Sequence, residues 1–372
     1  MVTRYEDVLA ILRDPSRFSS AHVFRRPVNP TPEVLAELAH LPPEIPLLVS
    51  EDPPTHRRTR GLVSTAFSPT HVAAMAPRVQ TIAHALIDHF CTAGHADLVR
   101  QYTSPLPVRV LLEFVGLPVN DADCIQQWGH DHIWLSVPEM SAAQPRQSAR
   151  TEVAFSRYAE ALIAERQRHP QADMLSALMH AEVEGERPLD DGELNTLVQQ
   201  LLFAGQETTT NVLSSTLFSL VREPDRWHAL QADPSLVPNV VEEGLRHDAA
   251  IPGMFRPATQ EVTLAGVAMP AGARLFLAFA SANRDERLFA EPERFDVHRL
   301  NADNHLSLGH GMHYCLGAAL ARLETRMGIT VLLERVPDLR WVPAQRMTYL
   351  PSLINRALQH LYVTWEASSQ GD

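Results

Sequence analysis

The sequence predicts a mainly α-helical protein with small β-sheets late in the chain, an α+β fold. Helical spacing of apolar residues runs unbroken from Asp190 to Arg222. Such a helix, about 45–50 Å long at ~1.5 Å per residue, must run through the middle of a large domain. The 28 prolines punctuate other helical segments. Short alternating stretches at 262–265 and 274–277, with Gly266 and Gly272 at turns, predict strands.

The remaining elements follow from local signals in chain order. Before the long helix, the spacing predicts helices over 5–14, 55–67, 69–91, 106–115, 121–136 and 146–168. Residues 22–50 are rich in proline and predict an irregular loop over a pocket. The run Asp190-Asp191-Gly192-Glu193 is a capping box that begins the long helix. Further helices are expected over 237–247 and from about Ala318 onward.

Composition limits the classes of protein that this chain can belong to. With 372 residues, 45% of them hydrophobic, it can bury a large core, and no linker or repeat divides 1–372 into separate domains. The net charge of −12 argues against a nucleic-acid partner. No apolar run approaches membrane-spanning length, so no membrane association is expected. Three cysteines are too few for a disulfide framework, which favours a reducing, cytoplasmic location.

The most informative segment is the glycine-rich run 308–317, which presents Cys315 just before a helix. Glycines such as Gly309 and Gly317 let the backbone turn tightly and approach a flat ligand. The start of the helix directs free N–H groups at the sulfur, which predicts a lowered thiol pKa and a thiolate. A single thiolate presented in this way suits the axial position of a haem iron. A buried structural cysteine is the alternative.

A second motif lies inside the long helix at Ala204-Gly205-Gln206-Glu207-Thr208-Thr209. A glycine in the middle of a helix costs about 1 kcal/mol relative to alanine, so close approach of a ligand to Gly205 is one explanation. The Thr208 hydroxyl can bond the carbonyl one turn earlier and open the helix locally. Together these features predict a notch beside an acid–alcohol pair. An ordinary packed helix is the alternative.

Two further pairs lie one helical turn apart. His56 and Arg60 can reach the same object from one helix face, and Glu243 and Arg246 form an opposite-charge pair. A solvated surface face would be the ordinary explanation for either pair. Other histidines, including His130 and His132, match no metal-ligand spacing and are expected at the surface or the edge of the core.

Taken together, these motifs resemble those of the cytochromes P-450. In the Cys loop, the family pattern is matched at Gly309, Gly311, His313, Cys315, Gly317, Leu320, Ala321 and Arg322, whereas Leu308 replaces the usual phenylalanine. The resemblance runs from Met1 to about Trp365. It implies the cytochrome P-450 fold as a single domain that lacks the family's usual first few dozen residues. It also implies haem b (iron protoporphyrin IX) between the long helix and the Cys loop with its following helix.

The resemblance assigns roles to individual residues. Cys315 would be the iron ligand, with Gly309, Gly317, Ala204 and Gly205 close to the cofactor. His56, Arg60, Arg256 and His313 would bind the haem propionates. Thr208 would hydrogen-bond at the oxygen-binding position and Glu207 would relay protons from solvent. Glu243 and Arg246 would form a structural anchor, completed by an arginine in the following segment, for which Arg294 is the first candidate and Arg299 the second.

By the same resemblance, the protein is expected to be a monooxygenase that hydroxylates or epoxidises a hydrophobic small molecule in secondary metabolism. Electrons would come from a ferredoxin and ferredoxin reductase, docking on a basic patch formed by Arg57, Arg58, Arg322 and Arg326. Substrate would contact residues 22–50, Phe203, Ala204, 251–255, Leu353 and Ile354. Two alternatives stay open: a peroxide-driven haem-thiolate enzyme, which would not need the Glu207–Thr208 pair, and a haem sensor or carrier without turnover.

Overall fold

The computed structural model describes residues 1–21, 23, 31–43, 45–134 and 143–366. In this part of the chain, the helices in the first half are α1 (Tyr5–Leu12), α2 (Pro32–Leu38), α3 (Thr55–Ser64), α4 (Pro69–Ala74), α5 (Ala76–Asp88), α6 (Pro105–Val115), α7 (Ala122–Trp134), α8 (Ala143–Arg168) and α9 (Met174–Met179). The second half contains α10 (Asp191–Val221), α11 (Pro224–Ala232), α12 (Val237–His247), α13 (Phe279–Ala282) and α14 (Ala318–Arg335).

The strands are short and pair antiparallel in three small sheets. They are β1 (His95–Asp97), β2 (Met254–Pro257), β3 (Val262–Leu264), β4 (Val267–Met269), β5 (Arg274–Leu277), β6 (Arg340–Trp341) and β7 (Tyr362–Thr364). The sheet orders are β1-β7-β6, β2-β5 and β3-β4. In the second sheet Arg256 pairs with Leu275, and Val2 adds a parallel bridge to Leu277. The mainly α fold with small late sheets is therefore confirmed.

Helix α10 is the central element of the fold. The predicted capping box is present, because the Asp190 carboxylate accepts from the Glu193 N–H (2.9 Å) and Glu193 accepts from the Asp190 N–H (3.0 Å). Helices α6, α8, α12 and α14 all pack against α10. Its residues are buried along most of its length, including polar ones such as Ser214 and Thr216. A helix surrounded in this way is held by packing rather than by an amphipathic face.

Helix α3 is anchored to the start of α10 through a buried ion pair. The Arg58 guanidinium donates to the Glu193 carboxylate, and both side chains are almost completely buried. Glu193 also accepts from Arg187 (2.7 Å). Arg58 and Arg187 together satisfy most of the acceptor positions of the Glu193 carboxylate. A buried ion pair is tolerated under this condition.

Two predicted segments differ from the structure. The stretch 22–50 contains helix α2, whose first turn is capped by the Thr31 hydroxyl, while residues 22, 24–30 and 44 lie outside the described residues. The single helix predicted over 69–91 is two helices, α4 and α5. Pro77 has no N–H to donate to the carbonyl of Ala73, so α4 cannot continue through it and a new helix begins at Ala76.

Helix α2 is tied to α8 by exposed charges. The Glu37 carboxylate accepts from Arg146 (3.0 Å) and Arg150 (2.9 Å), and both arginines are about half exposed. Exposed pairs of this kind contribute little to stability, about 0–1 kcal/mol each. Within the described ranges, no helix combines the length and the apolar character needed to cross a membrane.

Candidate functional site

The loop that carries Cys315 turns at two glycines. Gly309 and Gly311 both have φ of +70°, and a Cβ on Gly311 would stand 2.9 Å from the carbonyl oxygen of Leu12. The Cys315 N–H donates to the Leu308 carbonyl (2.8 Å), which closes the loop, and α14 begins three residues later at Ala318. The tight turn that the sequence predicts at these glycines is therefore present.

The electrostatics of the Cys315 thiol differ from the prediction. Burial raises its pKa, and this effect outweighs a hydrogen bond from the Gly317 N–H and the charges of Arg60 and Arg322, which act in the opposite direction. The expectation that the helix start alone yields a thiolate was therefore wrong, because desolvation of the sulfur dominates. A bound metal cation would supply the positive charge that a buried thiolate requires.

Four nitrogen-bearing side chains converge beside this loop. His56 and Arg60 come from α3, Arg256 from β2 and His313 from the loop itself. The rings of His56 and His313 lie 4.2 Å apart between centroids, and Arg60 donates to the carbonyl oxygen of Tyr314 (2.8 Å). His56 and Arg256 are buried. Residues that are far apart in sequence thus form one cluster of cationic and hydrogen-bonding groups, which we call the α3–loop cluster.

The α3–loop cluster has more positive than negative charge. Burial, with His56 and Arg256 nearby, lowers the pKa of His313 to about 3, and burial lowers the pKa of Arg256 to about 10. Among the described residues, the carboxylate that opposes these shifts is Asp52. An anionic ligand would compensate the excess positive charge, and carboxylates are suitable partners for it.

The sequence did not reveal the residues that orient His313. The Ser20 hydroxyl lies 2.7 Å from His313 Nε2, and the Ser20 N–H donates to Asp52 (2.7 Å). The Ser19 hydroxyl donates to the same carboxylate. Ser20 lies almost 300 positions before His313, so no local pattern could indicate this contact.

On α10, the acid and the alcohol have different environments. The Thr208 hydroxyl donates to the Ala204 carbonyl (2.7 Å), as the sequence predicts. The Glu207 side chain is buried, and burial raises the pKa of its carboxyl, opposed by the nearby His130 and His132. The Ala204 side chain is exposed, so open space lies beside it.

Gly205 has a packing role besides the predicted one. A Cβ at this position would lie 3.2–3.3 Å from the methyl groups of Leu111 on α6. Close packing of α10 against α6 is therefore a second reason for a glycine here, and its assignment as a residue close to the cofactor stays a prediction. The helix-to-helix contact gives no sequence signal that distinguishes it from contact with a ligand.

The predicted structural anchor is present, but its third member is the second candidate and not the first. Arg246 donates two hydrogen bonds to Glu243 (2.6 and 2.8 Å), and both side chains are fully buried. The third member is Arg299, the second candidate, which donates to Glu243 (3.1 Å). The first candidate, Arg294, was wrong: its guanidinium is exposed beside Glu291, and only its carbonyl oxygen accepts from Arg246.

The predicted basic patch is smaller than expected. Arg57 and Arg326 are exposed, on α3 and α14 respectively. Arg58 was wrongly included, because it is buried against Glu193. Arg322 donates two hydrogen bonds to Glu242 (2.7 and 2.8 Å) and one to the Tyr314 hydroxyl (2.8 Å), so its charge is largely compensated.

The residues present fit the haem that the sequence implies. The α3–loop cluster could take two propionates, and the Cys315 sulfur beside it could serve as the iron ligand. Gly317 has an ordinary negative φ, and a Cβ there would meet no protein atom within 4 Å. Protein packing therefore does not require a glycine at this position, whereas a flat ligand against the backbone would.

Comparisons with known proteins agree with this geometry. The cytochrome P450 family model, written here as P-450, matches residues 139–337. Cytochrome P-450 107B1 of Saccharopolyspora erythraea is 36% identical over 98% of this chain and 88% of its own length. Mycinamicin IV hydroxylase/epoxidase of Micromonospora griseorubida is 35% identical over 98% and 89%. The structure of cytochrome P-450 CREJ in complex with (4-ethylphenyl) dihydrogen phosphate superposes with a TM-score of 0.94 at 28% identity, covering 98% of this chain and 91% of that one.

Proposed function

Since this chain belongs to the cytochrome P-450 family of monooxygenases, we propose that it inserts one atom of dioxygen into a C–H or C=C bond of a hydrophobic small molecule. The observation that carries this proposal is the convergence of His56, Arg60, Arg256 and His313 beside the Cys315 loop. A dianionic planar cofactor with an axial sulfur ligand satisfies both features at once.

The residues that would hold haem b are those of the α3–loop cluster and Cys315. When bound, haem supplies the oxygen activation, which no protein side chain can perform. Ser20, whose N–H donates to Asp52, would fix the ring of His313. Gly317 would leave room for the porphyrin plane.

Glu207 and Thr208 would manage protons on the α10 side. A carboxyl whose pKa is raised by burial holds a proton closer to neutral pH and can release it to a stronger base. The Thr208 hydroxyl proton is committed to Ala204, so its oxygen is left to accept a hydrogen bond from a group on the open side. This arrangement favours reductive use of dioxygen over peroxide-driven chemistry, which has no need for such a pair.

We propose that electrons come from a ferredoxin and its reductase. The exposed Arg57 and Arg326 lie on α3 and α14, the two helices whose Arg60 and Arg322 contact Tyr314 in the Cys315 loop. They would steer an acidic protein toward that loop. In a chain of net charge −12, a local cationic surface of this kind is useful for orientation.

The three cysteines of the described chain are free, which suits a cytoplasmic enzyme.

The substrate would be apolar and of small-molecule size. Ala204 leaves space on the open side of α10, and Leu353, predicted to line the pocket, is 64% exposed. The relative named hydroxylase/epoxidase supports either outcome at a C–H or C=C bond and suggests secondary metabolism.

An absorption spectrum of the reduced protein with carbon monoxide tests the proposal. Thiolate ligation predicts the strongly red-shifted Soret band of haem-thiolate proteins, and Cys315→Ser should bind haem and lose that band. Cys91→Ser, which changes a cysteine remote in sequence from the loop, is the control and should keep the band. Haem binding without the band in the wild-type protein would refute thiolate ligation by Cys315. A protein that takes up no haem would overturn the proposed function altogether.

A further inference from the structure

The buried acid of α10 contacts a histidine that reaches the protein surface. Glu207 Oε1 lies 3.7 Å from His130 Nδ1 on α7. The Glu207 side chain is 5% exposed, whereas that of His130 is 44% exposed. The two groups therefore connect the interior, next to Thr208, with bulk water through a single intervening side chain.

The neighbouring titratable groups have hydrogen-bond partners of their own. His132, on the same helix, lies 2.5 Å from Glu152 of α8 through its Nδ1 atom, and its ring packs on Phe203. Asp131 accepts from the Thr151 hydroxyl (2.7 Å). Tyr158 of α8, which packs on Trp128 of α7, donates its hydroxyl proton to Asp121 (2.6 Å).

The packing of α7 on α10 holds the pair together. Gly129 faces Gln206 so closely that a Cβ on it would lie 2.5 Å from the amide nitrogen of Gln206. That amide donates to the Gln126 carbonyl (3.1 Å) and lies 3.5 Å from Glu207 Oε1. Gly129 and Gln206 each directly precede one member of the pair, so this close approach sets the His130–Glu207 separation.

We propose that His130 is the proton-entry group of the enzyme, taking a proton from bulk water and passing it to Glu207. This inference rests on the proposed function and adds the residue that reloads the acid after each turnover. The imidazolium N–H of His130 loses its proton to the Glu207 carboxylate, and the neutral imidazole then regains one from water. No electron moves and no bond between heavy atoms changes.

The chemistry of the two groups suits this transfer. Burial raises the pKa of the Glu207 carboxyl, so this group takes up a proton more readily than an exposed carboxylate does. Imidazole is a common group for proton transfer in enzymes. The separation of 3.7 Å exceeds a hydrogen bond, so transfer requires a small rotamer movement or one bridging water.

The decisive variants separate proton transfer from charge pairing. His130→Arg keeps a positive charge beside Glu207 but does not release its proton near neutral pH. We expect His130→Arg and His130→Gln both to lower product formation about tenfold or more and to enlarge the solvent isotope effect on turnover. The pH dependence of the wild-type rate should be lost in His130→Arg, because the guanidinium keeps its proton. His228→Gln, which removes an exposed imidazole on α11, is the matched control.

A readout independent of turnover completes the test. Infrared spectra of the ferric protein should show the Glu207 carboxyl band, identified by its loss in Glu207→Gln, at a shifted frequency in His130→Gln, because the imidazole contacts that carboxyl. An unshifted band, or wild-type turnover in His130→Arg, would overturn the relay and leave the monooxygenase assignment intact. Absence of turnover in the wild-type protein, given reductant and substrates, would instead overturn the proposed function and the relay with it.

Discussion

Gly244 on α12 lies directly against Thr216 on α10. A Cβ on Gly244 would stand 2.0 Å from the Thr216 hydroxyl oxygen, so only glycine permits this approach. The contact lies beside Glu243, the shared acceptor of the buried arginines Arg246 and Arg299. This contact therefore helps to fix the central helix and the anchor network to one another.

Gly244→Ala should therefore destabilise the protein although alanine is the better helix former. We expect the free energy of unfolding to fall by about 1–3 kcal/mol, the usual cost of overpacking a tight core. Thermal unfolding measures the change. Gly61→Ala on α3 is the control, since a Cβ there meets only a Val183 methyl at 3.3 Å, and its effect should be small. Equal effects of both substitutions would contradict the steric explanation.

The two arginines that follow the anchor provide a matched pair. Arg299→Leu leaves one side of the buried Glu243 carboxylate without its cationic partner, and the loss should be about 3–5 kcal/mol, with weaker haem retention. Arg294→Leu removes an exposed guanidinium and should change stability by less than about 0.5 kcal/mol. Urea unfolding of the two variants in parallel distinguishes them. A larger effect at Arg294 would restore the assignment made from sequence.

Glu242 makes stability depend on pH in acid. Burial raises the pKa of this carboxyl, but hydrogen bonds from His305 and Arg322 outweigh burial and lower it from 4.5 to about 2. Since the folded pKa lies below the unfolded one, the stabilisation is complete above pH 4.5 and disappears as pH falls toward about 2. It amounts to about 3 kcal/mol. The stability difference between wild type and Glu242→Gln should shrink over that interval, whereas a constant difference would exclude this linkage.

Thr208→Ala should separate electron consumption from product formation. The variant keeps the fold, because the lost side-chain bond to Ala204 is local and the backbone helix remains. We expect reductant to be consumed at a similar rate while product falls several-fold and hydrogen peroxide accumulates. Measuring all three in the same assay checks the balance. Full coupling in the variant would show that Thr208 has no part in oxygen use.

Charge reversal on the exposed arginines tests the electron-transfer surface. Arg57→Glu and Arg326→Glu should each raise the apparent KM for ferredoxin at low ionic strength, with a smaller effect at high salt, since surface attraction is screened. Arg168→Glu, on the exposed end of α8, is the control. Arg58→Glu should unfold or destabilise the protein instead, because it places a second carboxylate beside the buried Glu193. An unchanged KM in the first two variants would remove this surface from consideration.

Sequence reasoning succeeded where a pattern is local. The capping box at Asp190, the turn glycines Gly309 and Gly311, and the Glu243–Arg246 pair each depend on residues within a few positions, and each is present. Local geometry determines these features, so spacing alone was sufficient to predict them.

Sequence reasoning failed where the environment of a side chain depends on an element distant in the chain. Whether Arg294 or Arg299 reaches Glu243, and whether Arg58 faces solvent or Glu193, depends on packing between elements distant in the chain. The same holds for the thiol of Cys315, whose burial outweighs the nearby helix start. His130 gave no signal either, because its partner Glu207 lies 77 positions away on another helix. Contacts of this kind are set by the tertiary fold and require the structure.

The Arg58–Glu193 pair has a mechanical consequence. His56 and Arg60 of helix α3 lie on the cofactor side. Arg58, which lies between them in sequence, forms an ion pair with Glu193 in the first turn of α10. A displacement of α3 relative to α10 would break the buried ion pair and disturb the cap of α10. We therefore expect α3 and the start of α10 to move as one rigid unit. Helix α2 packs on α8, and Glu37 adds exposed ion pairs to Arg146 and Arg150. Because salt screens exposed pairs, higher ionic strength should loosen α2 from α8 and leave the position of α3 unchanged.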